Sequence, residues 1–384
     1  MARMKPYDLR SLRVHPLRSF LIALFAALLL TSAAPAAARA PAAPATLPRI
    51  TVAGDRLMLG ELPFELRGVN YTHVTTTPAG CPELHFGADG RCPWDQAAID
   101  ADFARLQALG VNAVRIFINY YVFGGARAID ASYDLAPALE HLDALIASAN
   151  RHGLYVMPVL LAKYPQDQLT PAGFERALEL HVRPVVSHLA GHPGILAWDL
   201  FNEPDIGSPI DQRCWDWDNG DFPLCARLAA QRVAFLERLY YEVTWLAPQQ
   251  LTTIGMAFAK SYFRPAAVPS PLAGLVDFYS FHYYDDDPYD SGRYAAHWYY
   301  GDGLPRDLQR SIAELRALPW GKPVVVSEFG FPTGPDARRD EAGLRRDLRT
   351  GLRAIRASGG SGVMLWPFQS SPEELVGDLF TTAD

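Results

Sequence analysis

Several motifs that define large classes of proteins are missing from this 384-residue sequence. No glycine-rich G-x-G-x-x-G or G-x-x-x-x-G-K-[ST] motif follows a predicted strand, which disfavours a nucleotide-binding sheet. The sequence also lacks a G-x-S-x-G motif, which disfavours a serine hydrolase with a nucleophile elbow. Its 35 basic residues are outnumbered by 42 acidic ones, and the net charge of −7 leaves no basic footprint for nucleic acid.

Cysteine is scarce, and its spacing argues against a zinc site. The four cysteines include no C-x-x-C pair, and His188 and His192 lie four residues apart without a third ligand, so neither a metal nor another cofactor is expected. Four cysteines allow three connectivities. The simplest one links neighbours that are eleven residues apart, so that each bond staples one long loop: Cys81 with Cys92, and Cys214 with Cys225.

The N-terminus has the order of a secretory signal peptide. Basic residues precede an apolar run at 20–30, and Ala36–Ala38 provides an A-x-A cleavage site. Eleven apolar residues fall short of the roughly 20 that span a bilayer. We therefore expect a signal peptide at 1–38, an Ala/Pro-rich linker at 39–48 and a secreted or periplasmic protein, which also suits disulfide formation. The alternative is an uncleaved N-terminal membrane anchor that uses the Ala-rich stretch to reach spanning length.

From residue 50 onward, short apolar runs alternate with amphipathic helical patterns. The sequence predicts eight strands, at 64–70, 111–118, 154–161, 195–201, 251–256, 276–281, 322–327 and 362–366. Strands that alternate with helices indicate parallel βαβ units, and eight such units close into a (β/α)8 barrel. The predicted class is therefore α/β, with a single TIM-barrel domain over 49–384. The last helix, at 372–380, is short, which leaves the closing seam the least determined part.

Polar residues cluster where the predicted strands end, and the carboxyl ends of the strands carry the active site of such barrels. Glu203 follows strand four and Glu328 ends strand seven, so the two carboxylates should face each other across the barrel mouth. Two carboxylates that flank a bond, one protonated and one ionised, are what glycoside hydrolysis requires. The other residues near strand ends are Arg115 on strand two, Asn202, His282, Tyr284 and Trp366.

These segments resemble a known family. Trp198–Pro204 (WDLFNEP) and Val325–Gly330 (VVSEFG) are similar to the two active-site signatures of glycoside hydrolase family 5 and its clan A relatives. The resemblance extends to Leu66–Asn70 and Asn112–Arg115 and covers residues 50–370 in the expected order. One departure concerns strand three: many family members have a histidine at its end, where this chain has Leu160–Lys163. Recognition of sugar hydroxyls in that sector is therefore left open.

The resemblance implies a role for each matching residue. Glu203 would be the general acid/base and Glu328 the nucleophile. Asn202 would hydrogen-bond the sugar 2-hydroxyl beside the nucleophile. The remaining residues would support these groups: Arg115 and Tyr284 by holding Glu328 ionised and oriented, His282 and Trp366 by lining the subsite around the reacting ring.

We therefore expect a retaining glycosidase that acts on a β-linked polysaccharide or oligosaccharide, either β-mannan or β-glucan. It should be a monomer without a nucleic-acid partner, and without a stable membrane span once the signal is cleaved. Alternatives are a transglycosidase that remodels glycans and, disfavoured because Glu203, Glu328, Asn202 and Arg115 are all present, an inactive carbohydrate-binding barrel. Aromatic residues in the long loops would build the cleft: Trp94, Trp215, Trp217, Trp298 and Tyr299.

Overall fold

The computed structural model describes most of the chain after residue 46. The described residues are 47–72, 86, 93–119, 135–162, 164, 168–205, 223–264, 268–284, 300–331, 339–366 and 373–380. The predicted signal segment at 1–38 and the side chains of all four cysteines lie outside them, so export and disulfide pairing stay predictions. Within the described part of the chain, no helix has the length and apolarity needed to cross a membrane.

A small antiparallel sheet precedes the barrel. It consists of β1 (Ile50–Ala53), β2 (Arg56–Leu59) and β3 (Leu62–Pro63). Gly54 allows the turn between β1 and β2 because it adopts a φ of +58°, in the left-handed region that glycine tolerates. The sequence predicts a hairpin that extends into residues 64–70, but the segment from Leu66 onward leaves this sheet and joins the barrel.

The eight predicted strands form a closed parallel barrel. In chain order they are β4 (Leu66–Asn70), β5 (Ala113–Asn119), β6 (Tyr155–Ala162), β7 (Ala197–Asn202), β8 (Leu251–Met256), β11 (Tyr279–Tyr283), β12 (Val324–Phe329) and β13 (Gly362–Leu365). The last strand pairs with the first in register from Gly362 opposite Leu66 to Leu365 opposite Val69, so the seam is closed. The predicted (β/α)8 fold is confirmed.

Helices surround the barrel. They are α1 (Gln96–Ala108), α2 (Ala136–Arg151), α3 (Pro171–Ala177), α4 (Arg183–Leu189), α5 (Pro223–Leu246), α6 (Arg306–Arg316), α7 (Glu341–Ala357) and α8 (Glu373–Phe380), and a π-helical turn at Leu178–Val182 joins α3 to α4. The alternation expected from the sequence fails once. Between β8 and β11 the described residues form two 3-10 turns (Ala259–Tyr262 and Pro271–Gly274) and the short strands β9 (Phe263–Arg264) and β10 (Val268–Pro269) instead of an α-helix.

The two ends of the barrel interior differ in polarity. Apolar side chains from the strand starts fill the amino-terminal end and pack against Ile50 and Leu57 of the small sheet: Leu66, Ala113, Tyr155, Ala197 and Val325 are among them. Buried polar side chains such as those of Asn70, His282 and Glu328 lie instead towards the carboxyl ends of their strands. The functional site is therefore expected at that end.

Candidate active site

Arg115 is the centre of a buried polar network. It is the third residue of the seven-residue strand β5, and its side chain is fully buried. The expectation that it lies near the end of its strand is therefore wrong. A long side chain carries the guanidinium to the residues at the strand ends, so an interior strand position suffices for contact with them.

The guanidinium of Arg115 binds four side chains from three other strands. Its Nε donates to Asp199 Oδ2 at 2.9 Å, and its Nη2 donates to Asn202 Oδ1 at 2.8 Å. Nη1 donates to Asn70 Oδ1 at 3.0 Å and to Glu328 Oε1 at 2.5 Å. Because the guanidinium is a rigid planar fork, these bonds fix the relative positions of β4, β7 and β12 at the site.

Two buried carboxylates keep Arg115 charged. Burial opposes its positive charge, but Asp199 and Glu328 raise its pKa above the ordinary value. Asp199 is itself held in place, because its Oδ1 accepts the backbone N–H of Gly255 at 2.8 Å. A carboxylate buried without a partner is strongly unfavourable, so the cation and its two anions have to be buried together.

Glu328 is held as an oriented carboxylate. It is the fifth residue of β12 and is only 3% exposed. Arg115 binds Oε1, and the Tyr284 hydroxyl donates to Oε2 at 2.5 Å. Burial and the negative charge of Glu328 raise the pKa of Tyr284 well above its usual value, so the phenol stays a proton donor. Both oxygens of Glu328 thus accept hydrogen bonds, which fix the orientation of its side chain.

Glu203 lies in a different environment. It directly follows β7 and adopts a φ of +50°, a left-handed conformation that is uncommon for a residue with a side chain. Its backbone N–H donates to the carbonyl of Gly255 at 2.7 Å. Burial raises the pKa of the Glu203 carboxyl to about 7, while Arg115 lowers it only in part. The carboxyl therefore holds its proton in weakly acidic solution, unlike an exposed glutamate.

His282 lies between the two glutamates. Its Nδ1 is 2.8 Å from Glu203 Oε1 and 3.4 Å from Glu328 Oε2. Burial lowers the pKa of His282 to about 4, so the ring is uncharged at neutral pH. A carboxyl oxygen of Glu203 and one of Glu328 lie within 4.8 Å of each other around this nitrogen. The partner of Glu203 at this position is therefore an uncharged ring and not a cation.

The same three side chains form a possible metal-binding group among the described residues, since one ligand atom from each lies within 4.8 Å of the others. Their surroundings argue against a cation. Glu328 already accepts from the Arg115 guanidinium at 2.5 Å and from Tyr284 at 2.5 Å. A divalent ion would have to displace these donors and sit beside a buried positive charge, so the arrangement suits acid–base chemistry better.

Trp366 and Trp94 have different environments. Trp366 follows β13 and is half-buried. Its ring contacts the Phe117 ring edge-on, with 5.6 Å between the centroids. The Arg115 guanidinium lies 4.7 Å from the centroid of the same Phe117 ring. It thus lies beside the network, and its predicted role in lining the sugar subsite stays a prediction. Trp94 instead stacks on His141 of α2 at 4.5 Å and packs against the core, so its predicted place in the cleft is not supported. The other cleft aromatics lie outside the described residues: Trp215, Trp217, Trp298 and Tyr299.

Three buried polar residues of this region have no role assigned from the sequence. Asn70 donates to the carbonyls of Ser327 and Leu365, at 2.9 and 3.2 Å, and accepts from Arg115. Asp199 pairs with Arg115. Asp205 accepts from the backbone N–H groups of residues 257 and 258. Asn70 ends the segment Leu66–Asn70 and Asp199 lies in Trp198–Pro204, and the family resemblance of these two segments is the signal that could have pointed to both residues.

Comparisons with known proteins agree with this geometry. No family model matches the chain. Among curated proteins it is 25% identical to mannan endo-1,4-β-mannosidase 3 of rice (Oryza sativa subsp. japonica), over 281 residues that make up 62% of this chain and 56% of that protein. The chain thus spans little more than half the length of that relative.

Solved structures show the same fold at low sequence identity. The β-mannanase of the blue mussel Mytilus edulis matches with a TM-score of 0.60 at 16% identity, over 88% of this chain and 98% of that one. A GH5_18 variant from Streptomyces cattleya, in complex with Manβ1-4GlcNAc, matches with a TM-score of 0.56 at 19% identity, over 79% and 71%. These findings agree with the predicted resemblance to glycoside hydrolase family 5: the chain is similar in sequence to a mannan endo-1,4-β-mannosidase and shares the (β/α)8 barrel fold of the solved structures.

Proposed function

We propose that this chain is a retaining glycoside hydrolase that cleaves β-mannan by double displacement. The observation that carries the proposal is the pair of glutamates, which lie close together in different surroundings. Glu328 accepts hydrogen bonds from a cation and a phenol, whereas burial raises the pKa of Glu203 to about 7. A separation within 4.8 Å suits a retaining enzyme, whose carboxyls lie about 5–5.5 Å apart, better than an inverting one at about 6.5–9.5 Å.

In the first step, a Glu328 oxygen attacks the anomeric carbon as the glycosidic bond breaks. Glu203 gives its proton to the departing oxygen, so the leaving sugar departs as a neutral alcohol. The Asn202 side-chain oxygen is occupied by Arg115, which leaves its NH2 group to donate to the sugar 2-hydroxyl. Charge disappears from Glu328 as the ester forms, and Arg115 stays paired with Asp199.

In the second step, water hydrolyses the glycosyl ester. Loss of the negative charge on Glu328 removes a repulsion that disfavours ionisation of Glu203, so the now deprotonated Glu203 accepts a proton from the attacking water. Glu328 leaves as a carboxylate and regains its bonds from Arg115 and Tyr284. Two inversions at the anomeric carbon give net retention.

β-Mannan is favoured over β-glucan because the rice relative and the mussel structure are both named for mannan cleavage. The chain lacks the histidine that many family members have at the end of strand three, so the contacts that select the sugar in this sector must come from other residues. Reducing-end release from a panel of β-mannans and β-glucans tests the substrate. We expect release from β-mannan, and release from β-glucan alone would refute the sugar assignment.

Two alanine variants test the catalytic roles separately. Glu328→Ala removes the attacking atom, so both mannan and aryl mannosides should be left uncleaved. Glu203→Ala keeps the nucleophile, so an aryl mannoside with a good leaving group should still form the glycosyl-enzyme. Added azide should then release the β-mannosyl azide, whose configuration is read by NMR. An α-configured first product from the wild type, or near-normal turnover by Glu328→Ala, would contradict the mechanism.

We also propose that the protein is exported with removal of residues 1–38. This proposal is based on the basic start, the apolar run and the Ala36–Ala38 motif. N-terminal sequencing of the exported protein should begin near Arg39. Recovery of the intact N-terminus in a membrane fraction would show that the segment is an anchor.

A further inference from the structure

A second buried carboxylate lies two residues after Glu203 and has no role in the mechanism described above. Asp205 is 0% exposed. Its Oδ1 accepts the backbone N–H of Ala257 at 2.8 Å, and its Oδ2 accepts the backbone N–H of Phe258 at 3.1 Å. The Ser261 hydroxyl donates to the same Oδ2 at 2.5 Å. All three donors belong to the segment that leaves the carboxyl end of β8.

This carboxylate completes a two-point attachment around Glu203. On one side, the Glu203 N–H donates to the carbonyl of Gly255, the fifth residue of β8. On the other side, Asp205 binds the N–H groups of Ala257 and Phe258, which directly follow that strand. Pro204 lies between the two attachment points and has no N–H of its own to add a third. The loop after β7 is therefore fixed to the exit of β8 before and after Glu203.

The attachment matters because the backbone of Glu203 is strained. A φ of +50° places a residue with a Cβ in the left-handed region, which persists only where the surroundings enforce it. Without the second attachment point, the loop is free to relax toward an ordinary conformation. Relaxation would move the Glu203 carboxyl away from His282 Nδ1, which lies 2.8 Å from it in the structure.

We propose that Asp205 is a positioning residue that holds the acid/base Glu203 in its working conformation by clamping the β7 loop to the β8 exit. The inference rests on the proposed glycosidase function. It assigns Asp205 no contact with the reacting atoms. The Arg115–Glu328 pair is not part of the clamp, since it is anchored to β5 and β12. A broken clamp should therefore impair proton transfer by Glu203 and spare nucleophilic attack by Glu328.

The test compares two substrates that differ in their need for an acid. Cleavage of a β-1,4-mannooligosaccharide requires protonation of a poor leaving group, whereas a dinitrophenyl β-mannobioside hardly needs it. Asp205→Asn replaces one acceptor oxygen with an NH2 group that faces an N–H donor, so it removes one of the two backbone bonds of the clamp with little change in size. Because general acid catalysis contributes about 10²–10⁴-fold, we expect kcat/KM for the oligosaccharide to fall about 10- to 100-fold.

The aryl substrate should respond differently. Its kcat/KM should stay within about threefold of the wild type, because formation of the glycosyl-enzyme needs no acid. Its kcat and KM should fall together, since the second step, which needs Glu203 as a base, becomes limiting. Azide should restore kcat. An equal loss of kcat/KM for both substrates, or no loss for either, would overturn the proposal.

Asp277→Asn is the matched control. Asp277 makes a similar clamp at the opposite end of β8, where its Oδ2 accepts the N–H and the hydroxyl of Thr252 at 2.7 and 3.1 Å. This variant should change kcat/KM for the two substrates by the same factor. A selective loss for the oligosaccharide in Asp277→Asn would show that any weakened β8 contact suffices, and would also overturn the proposal.

Ser261→Ala provides a second variant in case Asp205→Asn does not fold. It removes the side-chain donor and leaves the two backbone donors to Asp205 in place. A loss of about two- to fivefold, again confined to the oligosaccharide, is expected because one hydrogen bond is lost and the two backbone donors stay. If the kcat/KM for each substrate is the same in Ser261→Ala as in the wild type, the proposed clamp is refuted. If the wild type cleaves neither substrate, the proposed function itself fails, and the variants are not needed to show it.

Discussion

A single methyl group added to Gly255 should disturb catalysis although no catalytic side chain is changed. Gly255 lies in β8, where its backbone contacts Glu203 and Asp199. The Cβ of an alanine there would lie 2.8 Å from both Arg115 Nη2 and Asp199 Oδ2, and 3.1 Å from His282 Nε2. Ordinary contacts begin near 3.4 Å, so the guanidinium and the carboxylate would each have to retreat by about 0.6 Å.

The expected cost follows from what these groups hold in place. Arg115 orients Glu328 through a 2.5 Å bond and Asn202 through a 2.8 Å bond, so its displacement moves the nucleophile and the 2-hydroxyl donor together. A misplacement of about 1 Å can cost about 10²-fold in rate, so kcat/KM for β-mannan should fall about 10- to 100-fold in Gly255→Ala. Overpacking should also lower the free energy of unfolding by about 1–3 kcal/mol.

Gly68→Ala separates the two effects. Gly68 lies in the barrel strand β4, and its new Cβ would meet the side chain of Met364, at 2.7 Å from Cε and 2.9 Å from Cγ. Met364 belongs to the apolar layer at the amino-terminal end of the barrel, away from the catalytic network. This variant should lose a comparable free energy of unfolding but keep kcat/KM within about threefold. The reasoning is refuted if folded Gly255→Ala retains wild-type kcat/KM, or if Gly68→Ala loses as much activity.

Three further predictions concern titration and covalent structure. Because burial raises the pKa of Glu203 to about 7, kcat/KM should fall as the pH rises through about 7. A fall that begins only near pH 9 would contradict the assignment of Glu203 as the acid. Burial lowers the pKa of His282 to about 4, so at this residue the folded protein binds fewer protons than the unfolded chain and loses stability as the pH falls below 6.5. The urea midpoint of unfolding should therefore decrease less between pH 7 and pH 5 in His282→Gln than in the wild type. Unreduced peptide maps of the exported protein should link Cys81 to Cys92 and Cys214 to Cys225, whereas four free thiols would exclude both bonds.

The barrel and the two glutamates were predictable because their signals are local in sequence. The barrel strands are segments of four to eight residues that are mostly apolar, and parallel strands covered on both faces favour such segments. Glu203 and Glu328 each occur in a short segment that resembles a family signature. The missing helix between β8 and β11 was not predicted, since apolar residues at 258–263 and 272–276 do not distinguish 3-10 turns from an α-helix.

Arg115 and Tyr284 were identified from the sequence through the family resemblance, but the roles of Asp199, Gly255 and Asp205 were not, because they depend on contacts between distant strands. In the sequence, Asp199 is a polar residue within a predicted strand. Its contact with Arg115, 84 positions earlier, is visible only in the folded barrel. Gly255 matters because the register of β7 and β8 places it opposite Asn202. Asp205 matters because the chain after β8 turns its N–H groups toward it. Pairings of this kind follow from strand order and register, which composition and periodicity do not encode.

In the proposed mechanism the two glutamates differ in function because they occupy different positions relative to one cation, Arg115. Glu328 is still within its strand, 3% exposed and in contact with Arg115, so its charge is compensated inside the barrel. Glu203 lies one residue beyond the end of β7, where the left-handed turn places its carboxyl against neutral His282 instead of the guanidinium. Burial without a direct cationic partner favours the protonated carboxyl, and burial against a cation favours the ionised one. In the proposed mechanism, the division into acid and nucleophile therefore arises from the length of β7 and the turn that follows it, so changes in this turn should impair proton transfer by Glu203.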